Sequence, residues 1–125
     1  MKIETGHPYY GQYIGVLVFS TSTPRIPGDA GHAASFSYPV RYEVIKGGFA
    51  ELLDYNDAIK ENILEGCRHL KEAGIKGIIG DCGMMSLYQD CIGAEIGIPF
   101  IGSSLTQIPM VWQLIGRSGT IGILT

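Results

Sequence analysis

Cys82 sits in the stretch IIGDCGMMSLYQD (Ile78–Asp90), where an apolar run stops and the chain turns polar. A helix is expected to begin just after it. The N–H groups and positive dipole end of that helix would stabilise a thiolate, the form of cysteine that moves protons. Gly83 would let a substrate approach the backbone closely, and its N–H could take a carboxylate oxygen. Asp81 works against ionisation, because an adjacent carboxylate raises a thiol's pKa unless its side chain points away. The plainer reading of Cys82 is a small buried hydrophobe, as free cysteines often are.

Other chemistry-bearing residues cluster at similar places. Thr21, Ser22, Thr23 and Arg25 follow the first apolar run, and Arg25 could fork onto a carboxylate or simply be solvated. Ser103 and Ser104 follow a later run, where they read as helix caps, as ligands of an anionic group, or as both. Thr106 and Gln107 fit a helix first turn and are weak ligand candidates. His69 falls on a long helix, His7 in the N-terminal tail and His32 in a long loop, where it alone of the three could be catalytic. There is no HxxxH or His/Cys cluster, so no metal is expected. Neither GxGxxG after the first strand nor GxxxxGKS occurs, so a dinucleotide or nucleoside triphosphate is unsupported and no cofactor is expected.

The elements that must position these residues alternate. YIGVLVFS (Tyr13–Ser20) is rich in β-branched residues and reads as a strand buried on both faces. A long loop follows, TSTPRIPGDAGHAASFSYP, and then a short strand, RYEVIKG. From Asp54 to Ala73 the period changes: Ile59, Ile63, Cys67, Leu70 and Ala73 recur at helical steps, with Gly74 at the C-cap position. IKGIIGD is strand three, MSLYQDCIGAEI a helix, IPFIGSS strand four, LTQIPMVWQLIGR a helix and TIGILT strand five. Strands alternating with helices predict α/β architecture: a flavodoxin-like, doubly wound parallel sheet in three αβα layers with about five strands, over residues 1–125. In such sheets ligands bind outside the carboxyl ends of the strands. Cys82 is the only cysteine at one of those ends; Cys67 lies on a helix stripe and Cys91 inside the helix after Cys82.

Composition narrows the classes. The chain has 125 residues and a formal charge of −3, with its nine Lys and Arg scattered, which gives no nucleic-acid or membrane-surface footprint. Three cysteines without a CxxC argue against a disulfide framework. With no signal-peptide pattern at the N-terminus and no run long enough to span a bilayer, the expectation is a reduced, cytoplasmic chain.

GDCGMMSLYQD, IGIPFIGSSLTQIP and GRSGTIGILT resemble the first half of the aspartate/glutamate racemase superfamily. That group includes amino-acid and hydantoin racemases, maleate isomerases and arylmalonate decarboxylases. The resemblance implies a cofactor-independent racemase with two α/β lobes, each giving one cysteine to an acid/base pair. Inversion needs a base on one face of the carbon and an acid on the other. Cys82 would be the first-lobe cysteine. Gly83, Met84, Ser103, Ser104 and the Thr21–Arg25 loop would bind the carboxylate of an amino acid or dicarboxylate. No second strand-end cysteine is present, so the implied protein is one lobe, a fragment inactive alone, that self-associates through its exposed inter-lobe face. The rival expectation is a non-catalytic anion-binding or interaction domain of the same fold.

Overall fold

The computed structural model describes residues 5–48, 51 and 53–124. Its centre is a four-stranded, all-parallel sheet in the order β2-β1-β3-β4. β1 (Ile14–Phe19) lies between β2 (Val40–Ile45) and β3 (Gly77–Gly80), and β4 (Phe100–Ile101) closes the other edge. The continuous apolar run of β1 fits this inner place, since both faces of a central parallel strand are covered. The strand order is that of flavodoxin-like sheets.

Between β2 and β3 runs α1 (Asp57–Glu72). Its start is fixed by Asn56, whose side chain accepts the Ile59 N–H at 2.9 Å. At the other end Gly74, at φ +89°, lets the Gly74 and Ile75 N–H groups bond back to the Lys71 and Leu70 carbonyls. The helical stripe meets the sheet as its spacing predicts: Ile59, Ile63, Cys67 and Leu70 are buried against Leu17, Phe19 and Ile45. Gly66 permits the close approach, because a Cβ there would lie 2.6 Å from Ile45 Cγ2.

After β3 the chain forms a 3-10 turn, Gly83–Tyr88, and then α2 (Gln89–Ile96). One regular helix was expected over this stretch; its first turns are wound tighter. Met85, Tyr88, Ile92 and Ile96 join the same core as α1. β4 leads through a second 3-10 turn, Ser104–Gln107, into α3 (Ile108–Leu114), with a proline in its first turn. The crossover from β1 to β2 is a loop with a single short 3-10 turn, Ala33–Ser35. That loop is held to the sheet where the Tyr42 hydroxyl donates to the Ala30 carbonyl at 2.9 Å.

The α/β, flavodoxin-like parallel sheet expected from the sequence is the observed fold. The strand count differs, four among the described residues against about five. Residues 120–124, most of the expected fifth strand, make no strand pairing, and Thr125 lies outside the described residues. β4 has only two residues in its ladder, which offers a following segment little to pair with. Among the described residues no helix is long and apolar enough to cross a membrane.

Candidate functional site

Three loops meet at the carboxyl edge of the sheet. β1 and β3 are neighbours, with Leu17 opposite Gly80, and the Asp81 N–H continues their ladder to the Leu17 carbonyl. β3 and β4 are also neighbours, and their ends touch through two glycines. A Cβ on Gly80 would collide with the Gly102 carbonyl and the Met85 sulfur, and one on Gly102 would sit 2.7 Å from the Met85 carbonyl oxygen. Only glycine allows this approach, which sets the segment after β3 against the one after β4.

Cys82 caps the 3-10 turn with extended backbone (φ −118°, ψ 127°), and its carbonyl accepts the Met85 N–H at 2.9 Å. The first N–H groups of a helical turn have no partner within it, which here means Gly83 and Met84. Cys82 is partly buried at the rim of the core. The other two thiols differ. Cys67 is fully buried, and burial pushes its pKa up to about 12. Cys91 is partly buried, with its sulfur 3.2 Å from the Tyr88 carbonyl oxygen to which it donates.

Ser103 is buried, and its hydroxyl oxygen accepts the Leu105 N–H at 2.9 Å, so it caps the second 3-10 turn. Ser104 is exposed beside it. Thr106 donates its hydroxyl to the Ser103 carbonyl, and Gln107 is exposed. Thr21 and Thr23, with Arg25, line a recess of about 240 Å³ walled by Val18, Phe19 and Val44. Ser22 is exposed in the same loop.

Arg25 is paired within the protein. One terminal nitrogen lies 2.8 Å from Asp81 Oδ2, and the other lies 3.1 and 3.3 Å from the Asp29 carboxylate oxygens. The Asp81 contact is ionic, its angles falling outside those of a hydrogen bond. The Asp81 side chain is 3% exposed. Burial raises its pKa above the ordinary 3.8; Arg25 opposes that rise and Asp29 adds to it. The carboxylate beside Cys82 is thus engaged with Arg25.

No histidine reaches this edge. His32 caps the Ala33–Ser35 turn by accepting the Ala34 N–H. His7 donates its backbone N–H to the Tyr10 hydroxyl. His69 is exposed on α1, 2.9 Å from Glu43, and that hydrogen bond raises its pKa. Among the described residues no group of three or more His, Cys, Asp or Glu could hold a metal ion.

Two residues that shape this edge escaped the sequence reading. Gln89 donates to the Phe100 carbonyl at 2.8 Å and accepts the Gly102 N–H at 2.7 Å, tying α2 to the end of β4. Asp29 anchors the β1 loop: its carboxylate takes Arg25 and the Gly31 N–H, and its carbonyl takes the Ser35 hydroxyl. The four-residue spacing of Arg25 and Asp29 was the available signal; Gln89 gave none, as a polar residue on a helix.

Compared with known proteins, the chain is 34% identical over 115 residues to dimethylsulfoniopropionate lyase 3 of Emiliania huxleyi, covering 90% of this chain and 30% of that protein. It is 34% identical over 101 residues to dimethylsulfoniopropionate lyase 6 of the same organism, covering 78% of this chain and 26% of that protein. It is also 30% identical over 116 residues to a dimethylsulfoniopropionate lyase of Durusdinium sp. clade D, covering 90% of this chain and 38% of that protein. The chain therefore spans about a third of the length of the curated relatives it matches. No family model matches it, and no solved structure does.

These relatives are named lyases, not racemases or isomerases, which overturns the racemase-superfamily resemblance and the two-cysteine racemisation it implied. The reason is physical. GDCG and GSS are glycine- and serine-bearing strand ends that a parallel α/β sheet requires for its own geometry, and TIGILT is an apolar run that pairs with no strand among the described residues. They report architecture and leave the reaction open.

Proposed function

We propose that this chain supplies the base and part of the substrate-binding edge of a lyase acting on dimethylsulfoniopropionate. The observation that carries the reading is the 34% identity, across 90% of this chain, to a protein named for that activity. The chemistry fits the edge described above. The substrate has a C–H next to a carboxylate and a dimethylsulfonium on the following carbon. A base takes the proton on the carbon α to the carboxylate, and the C–H electron pair becomes the new C=C bond. The C–S bond breaks with its electron pair leaving on sulfur, so dimethyl sulfide departs, acrylate remains, and the proton stays on the base.

Elimination needs one base, where racemisation needs an acid and a base on opposite faces. One strand-end thiolate is therefore sufficient. Cys82 takes the role because Cys67 is sealed in the core with a pKa of about 12, and Cys91 sits inside α2 with its sulfur turned to a backbone carbonyl. The N–H groups of Gly83 and Met84 hold the substrate carboxylate and stabilise the charge that builds on it as the proton leaves. Thr21, Ser22 and Thr23 from the β1 loop, and Ser104 from the β4 loop, complete the polar wall. Ser103 shapes that wall as a cap.

The test is headspace gas chromatography of dimethyl sulfide from the purified chain with dimethylsulfoniopropionate. Release is expected from the wild type, and Cys82→Ser should cut it about 10²–10⁴-fold, the usual contribution of a positioned general base. Cys91→Ser should stay within about twofold of wild type, because its thiol takes no part. Equal release by the wild type and Cys82→Ser would sink the reading.

A further inference from the structure

The Thr21–Pro24 stretch is pinned at both ends. At its start the Ser20 N–H bonds to the Ile45 carbonyl at 3.4 Å, prolonging the β1–β2 ladder. At its end Arg25 reaches across to Asp81, the residue before Cys82, at 2.8 Å. Arg25 also holds Asp29, and Asp29 organises the next six residues. Its carboxylate takes the Gly31 N–H at 2.6 Å, and its carbonyl takes the Ser35 hydroxyl and the His32 N–H. Ser35 in turn accepts the Gly28 N–H at 2.7 Å. The guanidinium therefore joins two pieces: a loop folded around Asp29 and the carboxyl end of β3.

We infer that Arg25 is a positioning residue, which ties the loop after β1 to the carboxyl end of β3 by bridging Asp29 to Asp81 and does not itself grip the substrate carboxylate. Geometry carries the inference: each terminal nitrogen of Arg25 is already on a protein carboxylate. A guanidinium has two terminal nitrogens that can face two carboxylates at once, which the single nitrogen of a lysine ammonium cannot reproduce. Two negative partners for one positive charge also leave this cluster with no surplus positive charge to offer a third carboxylate. The inference rests on the lyase reading for the meaning of the site, and its first measurement is independent of that reading.

That measurement is amide hydrogen exchange of Gly28, Gly31 and Ser35, each of whose N–H groups is bonded within the loop. Arg25→Met and Asp81→Asn should each speed exchange at these amides about tenfold, and the double variant should be no faster than either single one, as residues acting through one contact are not additive. Arg25→Lys should fall between wild type and Arg25→Met, and it serves should Arg25→Met fail to fold. The second measurement is dimethyl sulfide release. Here Arg25→Met and Asp81→Asn should raise KM by a similar factor, about tenfold, with kcat within about threefold, as a displaced binding wall predicts. Unchanged exchange in Arg25→Met would overturn the inference. So would a loss of activity far larger in Arg25→Met than in Asp81→Asn and additive in the double variant, because that pattern means direct contact with substrate. Absence of dimethyl sulfide from the wild type, with exchange responding as described, would remove the lyase reading and leave the tie between loop and sheet standing.

Discussion

The three cysteines show how far burial separates residues of one type. Cys67 sits in the helix stripe against Leu17 and Ile45, where no water reaches a thiolate, and its pKa rises to about 12. At pH 8 such a thiol stays protonated, so it is chemically inert while the chain is folded. Cys82 sits at the end of β3, partly open, ahead of a turn whose first N–H groups have no partner within the turn. Brief treatment with iodoacetamide at pH 8, read by peptide mass spectrometry, should label Cys82 in the folded chain. Cys67 should react only after urea unfolding. Labelling of both at equal rates in the native state would mean that the core around Cys67 opens. Asp81 fits the same picture: sequence alone sets a carboxylate beside the thiol, and the fold turns that carboxylate to Arg25.

Among the elements, the join between α2 and β4 depends on one side chain. Gln89 satisfies the Phe100 carbonyl and the Gly102 N–H together, at a strand end too short to pair them through a ladder. Gln89→Leu should leave both backbone groups without a protein partner and lower stability by about 2–6 kcal/mol, at roughly 1–3 kcal/mol for each orphaned group. Gln89→Glu keeps the acceptor for Gly102 and should cost less; urea denaturation followed by circular dichroism ranks the two. This join marks where the sequence stops being legible. β1 and the α1 stripe could be read because their signals are local: a β-branched run for one, and apolar residues at three- and four-residue steps for the other. TIGILT has the same apolar content as a strand, but pairing depends on a neighbour, and β4 supplies only two residues. In the candidate site, the place of Cys82 followed from a strand end, whereas the engagement of Arg25 depends on Asp81, far along the chain, and could not. Of the residues quoted for the racemase resemblance, GDCG and GSS were legible as strand ends and turns, which is why they described the fold there and not the reaction.

For the whole molecule, the consequence of Asp81 is a stability that depends on pH in an unusual sense. Most carboxylates are better solvated or paired when folded, so acid weakens a protein by protonating them. Asp81 is buried with a pKa raised above 3.8, burial outweighing the attraction of Arg25. The folded chain therefore binds this proton more tightly than the unfolded chain does. Between 3.8 and the raised folded value the native state holds more protons, and stability falls as pH rises through that window. Below 3.8 the group is protonated in both states; above the folded value it is ionised in both, and its effect is constant. Asp81→Asn removes this proton and should flatten that contribution. The measurement is the urea midpoint of both proteins from acid to neutral pH. The difference, wild type minus Asp81→Asn, should decline as pH rises above 3.8 and then level off. A difference that grows with pH over the same window would mean that the pairing with Arg25 outweighs burial, and that the Arg25–Asp81 contact stabilises the ionised carboxylate.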